Sequence, residues 1–179
     1  MFDHRAFIRY AKPLIDLSIS EGVIENVYND IKLFLGVCKQ NFDFSLLLKN
    51  PIIPLDKKVS VLETIFSKII HPLTLKSFIK IIYSNRDQIL ENVCKKYIEL
   101  YNDHKLIQEI TILSAVSIDK SSIEKLKKKL SKISSKDIKL NQQIDPNVIG
   151  GFILKIDDKM YDASYLTKLK NIKKILLND

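Results

Sequence analysis

The groups in this 179-residue chain whose types could do chemistry are three histidines, two cysteines, a set of aspartates and one pair of adjacent glycines. A histidine acts as a general base only within hydrogen-bond reach of a nucleophile or an orienting acid. His4, His71 and His104 are far apart and in different local settings, so each reads as a solvated or capping side chain. Cys38 and Cys94 lie inside apolar helical patterns, without a CxxC spacing or a neighbouring histidine. They read as buried free thiols, which implies a reducing compartment. Asp157, Asp158 and Asp162 lack the spacing of a calcium loop and read as turn residues. Gly150-Gly151 has neither the spacing nor the Lys-Ser/Thr ending of a phosphate-binding loop. It also opens a strand, whereas glycines that cradle anions precede a helix. No catalytic, cofactor-binding or metal-ligating residue is assigned from these groups.

The charge balance narrows the partners. Lys+Arg number 29 against Asp+Glu 21, a net charge of +8, yet the arginines are just Arg5, Arg9 and Arg86. Bidentate reading of base edges favours arginine, so a lysine surface argues against sequence-specific nucleic-acid binding. The Lys125–Lys132 run has no interleaved aromatics and reads as a solvated helix face. A basic nucleic-acid-associated adaptor remains the alternative function that this charge allows. Hydrophobic content of 46% with 28% charged residues fits a globular chain. The apolar stretches are cut by charges such as Lys76 and Lys80, well short of the ~20 apolar residues of a membrane span. Met-Phe-Asp-His-Arg-Ala-Phe at the start contains no apolar signal core, so no presequence is expected.

Residues 1–105 repeat the helical period. Ile24, Val27, Tyr28, Ile31, Phe34, Leu35 and Cys38 share one stripe, and Phe42–Leu48 forms a short segment closed by Asn50-Pro51. Pro54 and Pro72 each open a helix at its first turn. The first of these two helices faces inward through Leu55, Val59, Leu62, Ile65, Phe66 and Ile69. A last helix from Asp87 carries Ile89, Leu90, Val93, Cys94, Tyr97, Ile98 and Tyr101. Short connections imply antiparallel neighbours and a six-helix bundle.

Two helices carry more apolar surface than one stripe needs. After Pro72 these are Leu73, Leu75, Phe78, Ile79, Ile81 and Ile82; in the first helix they are Phe7, Tyr10, Ala11, Leu14, Ile15 and Leu17. Either both helices are central and buried all round, or a groove between them accepts an amphipathic helix. Pro13 either kinks the first helix or marks its beginning.

Residues 106–179 are mixed. The β-branched run 106–116 reads as a strand, and a helix follows from Asp119 with Ile123, Leu126, Leu130 and Ile133 inward. Ile138, Leu140, Gln142 and Ile144 alternate as a second strand. Asp145-Pro146 turns the chain into a third strand, and Asp157-Asp158 makes a hairpin to a short strand at Met160-Tyr161. A final helix from Ala163 to Leu177 completes a β-α-β-β-β-α order, with Leu166, Leu169, Ile172, Ile175 and Leu176 inward. The fold class is therefore mainly α: a helical bundle followed by a small α/β domain with a mixed sheet.

This order of parts, with Ile144-Asp145-Pro146-Asn147-Val148-Ile149-Gly150-Gly151-Phe152-Ile153-Leu154-Lys155-Ile156 and then Asp162-Ala163-Ser164, resembles one family. The family that it resembles is the delta subunit of the F-type ATP synthase, called the oligomycin-sensitivity-conferring protein in mitochondria. Tyr10-Ala11-Lys12, Asn50-Pro51 with Asp56-Lys57-Lys58, and Asn85-Arg86 are similar to further stretches of that family. Asp157 and Ala163 stand where the family has glycine, and Pro13 where it has a small helix former. The family motif residues with a structural part are Asp145, Pro146, Ile149, Gly150, Gly151, Asp162 and Ser164.

The resemblance implies a non-catalytic stator subunit that links the catalytic head to the peripheral stalk. Residues 1–105 would bind N-terminal helices of alpha subunits through the first and fifth helices, and 106–179 would bind b-type stalk subunits. Tyr10, Ala11, Leu14, Phe78, Ile81 and Ile82 would form the alpha-subunit groove. The implied place is the cytoplasmic face of a bacterial inner membrane, reached only through the complex, with no cofactor and no nucleic acid.

Overall fold

The structure, a computed structural model, describes residues 4–131, 137–146, 148–156, 159–169 and 173. The chain is mostly helical with a small mixed sheet of four strands, and it divides into two compact units, Met1–Tyr101 and Asn102–Asp179.

The first unit is built from α1 (His4–Ser20), α2 (Ile24–Gln40), α3 (Phe42–Lys49), α4 (Leu55–Phe66), α5 (Pro72–Tyr83) and α6 (Leu90–His104). Its start and stop signals are local. Asn41 caps α3 by accepting the Phe44 N–H at 3.2 Å. Pro72 sits in the first turn of α5, whose N-terminus is capped twice: His71 Nδ1 accepts from Leu73 N–H, and Asp30 Oδ2 accepts from His71 N–H and Thr74 Oγ1 at 2.8 Å each. Asn85 ends α5 in the left-handed region at φ 54, which Asn tolerates better than most residues, and Arg86 N–H closes back on the Ile81 carbonyl. The Asn85-Arg86 pair noted in the sequence is thus a helix stop.

Phe34 gathers Phe44, Phe66 and Phe78 around it at centroid separations of 6.0, 5.7 and 4.7 Å. These rings come from α2, α3, α4 and α5, so one aromatic cluster ties four helices together. Tyr97 of α6 is buried with its hydroxyl 2.9 Å from Ser18 Oγ of α1.

Several expectations for this unit change. A 3-10 turn, Asp87–Ile89, precedes α6, which therefore begins at Leu90. The α4 stripe does not continue through Ile69: the helix ends at Phe66, the chain tightens with two N–H groups on the Phe66 carbonyl, and Ile70 is buried instead (6% against 58% exposed for Ile69). Ile65 is also exposed. Pro13 lies inside α1, so it does not mark the beginning of that helix.

The second unit has β1 (Ile107–Ser114), α7 (Lys120–Ser131), β2 (Asp137–Ile144), β3 (Phe152–Ile156) and β4 (Lys159–Asp162). Strand order is β2-β1-β3-β4, with β1 parallel to β2 and antiparallel to β3, and β3 antiparallel to β4. The parallel pair needs a crossover, which α7 supplies. Ile110, Ile112, Ile138 and Leu154 form the buried centre, with Leu126 and Leu130 of α7 packed on it. Leu106 sits at φ 53 just after α6, an unusual left-handed position for leucine. The alternation expected of β2 fades toward its end: Gln142 and Ile144 are exposed, because β2 is an edge strand and its far end lies beyond the cluster. The Asp157-Asp158 hairpin, Ile133, and the inward positions Ile172, Ile175 and Leu176 of the final helix lie outside the described residues; helical backbone is described over 165–169.

Asp119 starts α7. Its carboxylate accepts the Ser122 N–H at 3.0 Å and the Ser121 hydroxyl, and these bonds pull its pKa down to about 2. A depressed carboxyl contributes to folding above the ordinary aspartate range and loses that contribution as pH falls through its folded value. The Asp119 carboxyl carbon is therefore expected to titrate near 2 by NMR, with the cap complete at pH 5 and above. A midpoint at roughly 4, the unperturbed value, would contradict the cap.

Candidate functional site

α1 and α5 enclose a groove of about 230 Å³. Tyr10, Pro13, Leu14 and Leu17 form one side, Ser77, Lys80 and Ile81 the other, with Arg9 beside Tyr10. The α1 residues recur at spacings of three and four, one helix face. Leu17 is 47% exposed and Pro13 is exposed too, so part of the lining is apolar surface that the fold leaves uncovered, whereas Leu14 and Ile81 are buried. Pro13 has no N–H to return to the Arg9 carbonyl one turn earlier, so the α1 wall combines apolar side chains with a backbone acceptor that lacks its helical donor.

The six groove residues expected from the sequence separate into two sets. Tyr10, Leu14 and Ile81 line the groove. Ala11, Phe78 and Ile82 are each 0% exposed and belong to the core of the unit, so they support the groove from within. Helix α5 is therefore neither wholly buried nor wholly presented. An apolar count does not find Arg9, Pro13, Ser77 and Lys80, although Pro13 lies four residues from Arg9 and three from Tyr10, and Ser77 three from Lys80 and four from Ile81.

Among the described residues the histidines and cysteines serve the fold, and no group of them is assembled into a site. His71 caps α5 and His104 ends α6. Asn26, Asn29, Asp30, Lys68 and His71 share a cleft of about 390 Å³, but the Asp30 carboxylate there serves the α5 N-terminus. Cys38 and Cys94 are free and buried; burial, reinforced by Glu91, raises Cys38 to about 11, away from thiolate reactivity. Among the described residues no group of three His, Cys, Asp or Glu could hold a metal ion, and no helix is long and apolar enough to cross a membrane. Lys125, Lys127 and Lys128 project outward from α7.

In the second unit the motif residues are a backbone fitting. The Val148 N–H closes the Asp145-Pro146 turn on the Asp145 carbonyl at 3.1 Å. Gly151 adopts φ +78, and a Cβ there would lie 2.6 Å from the Ala163 carbonyl oxygen and 3.1 Å from Ser164 Cα. Gly150 lies against the Tyr165 ring, and the Tyr165 N–H bonds its carbonyl. Asp162 accepts from Ser164 N–H and Thr167 Oγ1, while Ser164 Oγ accepts from Thr167 N–H and caps the helical residues 165–169. The glycine pair and the Asp162-Ala163-Ser164 stretch are thus two halves of one close approach. Around it Ile149, Tyr161, Tyr165 and Leu169 are exposed.

The family model described as "ATP synthase delta (OSCP) subunit" matches residues 7–176. The chain belongs to the ATP synthase delta (OSCP) family. Similar proteins include the ATP synthase subunit delta of Flavobacterium johnsoniae, 32% identical over 99% of this chain and 100% of that protein. That of Cytophaga hutchinsonii is 30% identical over 97% and 94%. A chain in the cryo-EM structure of the Toxoplasma gondii mitochondrial ATP synthase hexamer superposes with a TM-score of 0.78, covering 96% of this chain and 97% of that one. At 18% identity this last likeness speaks for the fold alone. Membership in the delta (OSCP) family makes the chain a stator-associated subunit of ATP synthase, and the nucleic-acid adaptor reading gains no support.

Proposed function

We propose that this chain joins the catalytic head of ATP synthase to its peripheral stalk without catalysing any step itself. Residues 1–105 act as a six-helix bundle whose α1–α5 groove receives an N-terminal helix of an alpha subunit. Residues 106–179 receive the b-type stalk subunits, with Ile149, Tyr165 and Leu169 as available apolar surface. The observation that carries this reading is the exposed groove on α1 and α5, the two helices the family resemblance assigns to the head. A helix laid in such a groove transmits force through burial of side chains and needs no cofactor. The chain works at the cytoplasmic face of the inner membrane, held there through its partners. A photo-cross-linker placed at Leu17 in the intact complex tests the assignment, and the expected adduct is with the alpha subunit.

A further inference from the structure

Two cations border the groove. Arg9 on α1 and Lys80 on α5 both line it, both are exposed, and among the described residues neither has an ion-pair partner. The rest of the lining is Tyr10, Pro13, Leu14, Leu17, Ser77 and Ile81, apolar apart from the Ser77 hydroxyl, which donates to the Leu73 carbonyl of its own helix, and the Tyr10 hydroxyl. Asp16, on the same helix as Arg9, does not line the groove. Long cationic side chains lay their carbon stems along apolar surface and keep their charge at the edge. An occupant therefore meets apolar walls in the middle and positive charge from both helices at the border.

We propose that Arg9 and Lys80 are specificity-determining residues: the groove selects an amphipathic helix whose apolar stripe is flanked by carboxylates. This rests on the α1–α5 reading above and adds the chemistry of the occupant. An apolar stripe alone is common to every amphipathic helix, so it cannot separate one partner from another. Flanking charge can. Carboxylates beside the stripe pair with Arg9 and Lys80, whereas a basic helix is repelled at both borders, and the +8 chain steers acidic partners in solution. Border pairs of this kind are solvent-exposed, so their effect is modest per pair and sensitive to salt.

The test uses the full chain and a peptide comprising the alpha-subunit N-terminal helix of the same species, titrated by calorimetry. Arg9→Glu with Lys80→Glu is expected to weaken binding about 10-fold or more at low salt and to flatten its salt dependence. Changing the groove-facing carboxylates of the peptide to lysine is expected to weaken binding to the native chain and restore it to the double variant. Leu17→Asp is expected to abolish binding of either peptide. An affinity unchanged by the double reversal, with binding still lost in Leu17→Asp, overturns the charge selection and leaves the groove. Binding that survives Leu17→Asp overturns the groove itself. Self-association of the chain that disappears in Leu17→Asp gives the groove to a second copy and overturns the proposal. The substituted residues are exposed, and circular dichroism of each variant matching the native chain establishes that folding is intact.

Discussion

Replacing Lys58 by methionine is expected to remove about 3–5 kcal/mol from the stability of the first unit, a large part of the ~5–15 kcal/mol typical of a domain. Lys58 is 1% exposed and Asp87 7%. The ammonium donates to the Asp87 carboxylate and, at 3.0 Å, to the Leu48 carbonyl in the last turn of α3. One side chain of α4 thereby holds the end of α3 and the 3-10 turn before α6. Methionine keeps most of the volume but removes the charge, which leaves the Asp87 carboxylate buried without a partner and the Leu48 carbonyl without its donor. Urea denaturation should show a much lower midpoint. Combining Lys58→Met with Asp87→Leu should recover much of the loss, since exchanging a whole buried pair for apolar groups is often close to neutral. A single variant within about 1 kcal/mol of the native chain would mean that the pair is not buried as charges.

The second large effect lies at Gly151. Gly151→Ala is expected to destabilise the second unit by about 2–4 kcal/mol, combining left-handed strain with a forced displacement of backbone. At φ +78 any L side chain is disfavoured, and the new Cβ would press on the Ala163 carbonyl oxygen at 2.6 Å and Ser164 Cα at 3.1 Å. These are main-chain atoms of the stretch that carries the Ser164 cap, so the strand and the helical residues 165–169 must part. The readout is thermal unfolding followed on the methyl groups of Ile112 and Leu154 in the sheet core. Unchanged melting of those signals would show that the approach of the two motifs is not needed for folding.

At both sites part of the structure is legible in the amino-acid sequence and part is not. The glycine pair is legible because glycine is scarce here, 4 in 179 residues, and because it opens an alternating strand. What it touches is not legible, since Ala163 lies twelve residues away and the contact depends on the pairing of β3 with β4. Lys58 follows Lys57 and looks like one more solvated lysine. It also falls at helical spacing from Leu55 and Leu62, a polar residue on an inward face, which was the available sign of a buried partner. Finding Asp87 as that partner needs the tertiary fold. In the groove, periodicity found the apolar excess on α1 and α5. Periodicity does not separate residues that line the groove from those wholly inside the unit: Ala11, Phe78 and Ile82 share the stripes of Tyr10, Leu14 and Ile81, and Leu14 and Ile81 are themselves buried. The helix stripes of α2 and α6 were plain because their apolar residues alternate with charge. The α4 stripe misled at Ile69 because periodicity does not register where a helix ends.

Occupation of the α1–α5 groove by a helix of the catalytic head is the central proposal. A photo-activated residue at Leu17, incorporated in cells and cross-linked in the intact ATP synthase, reports the occupant directly. The account predicts an adduct whose mass-spectrometric site falls in the N-terminal helix of an alpha subunit. An adduct confined to a b-type subunit, to nucleic acid or to a second copy of this chain would contradict it.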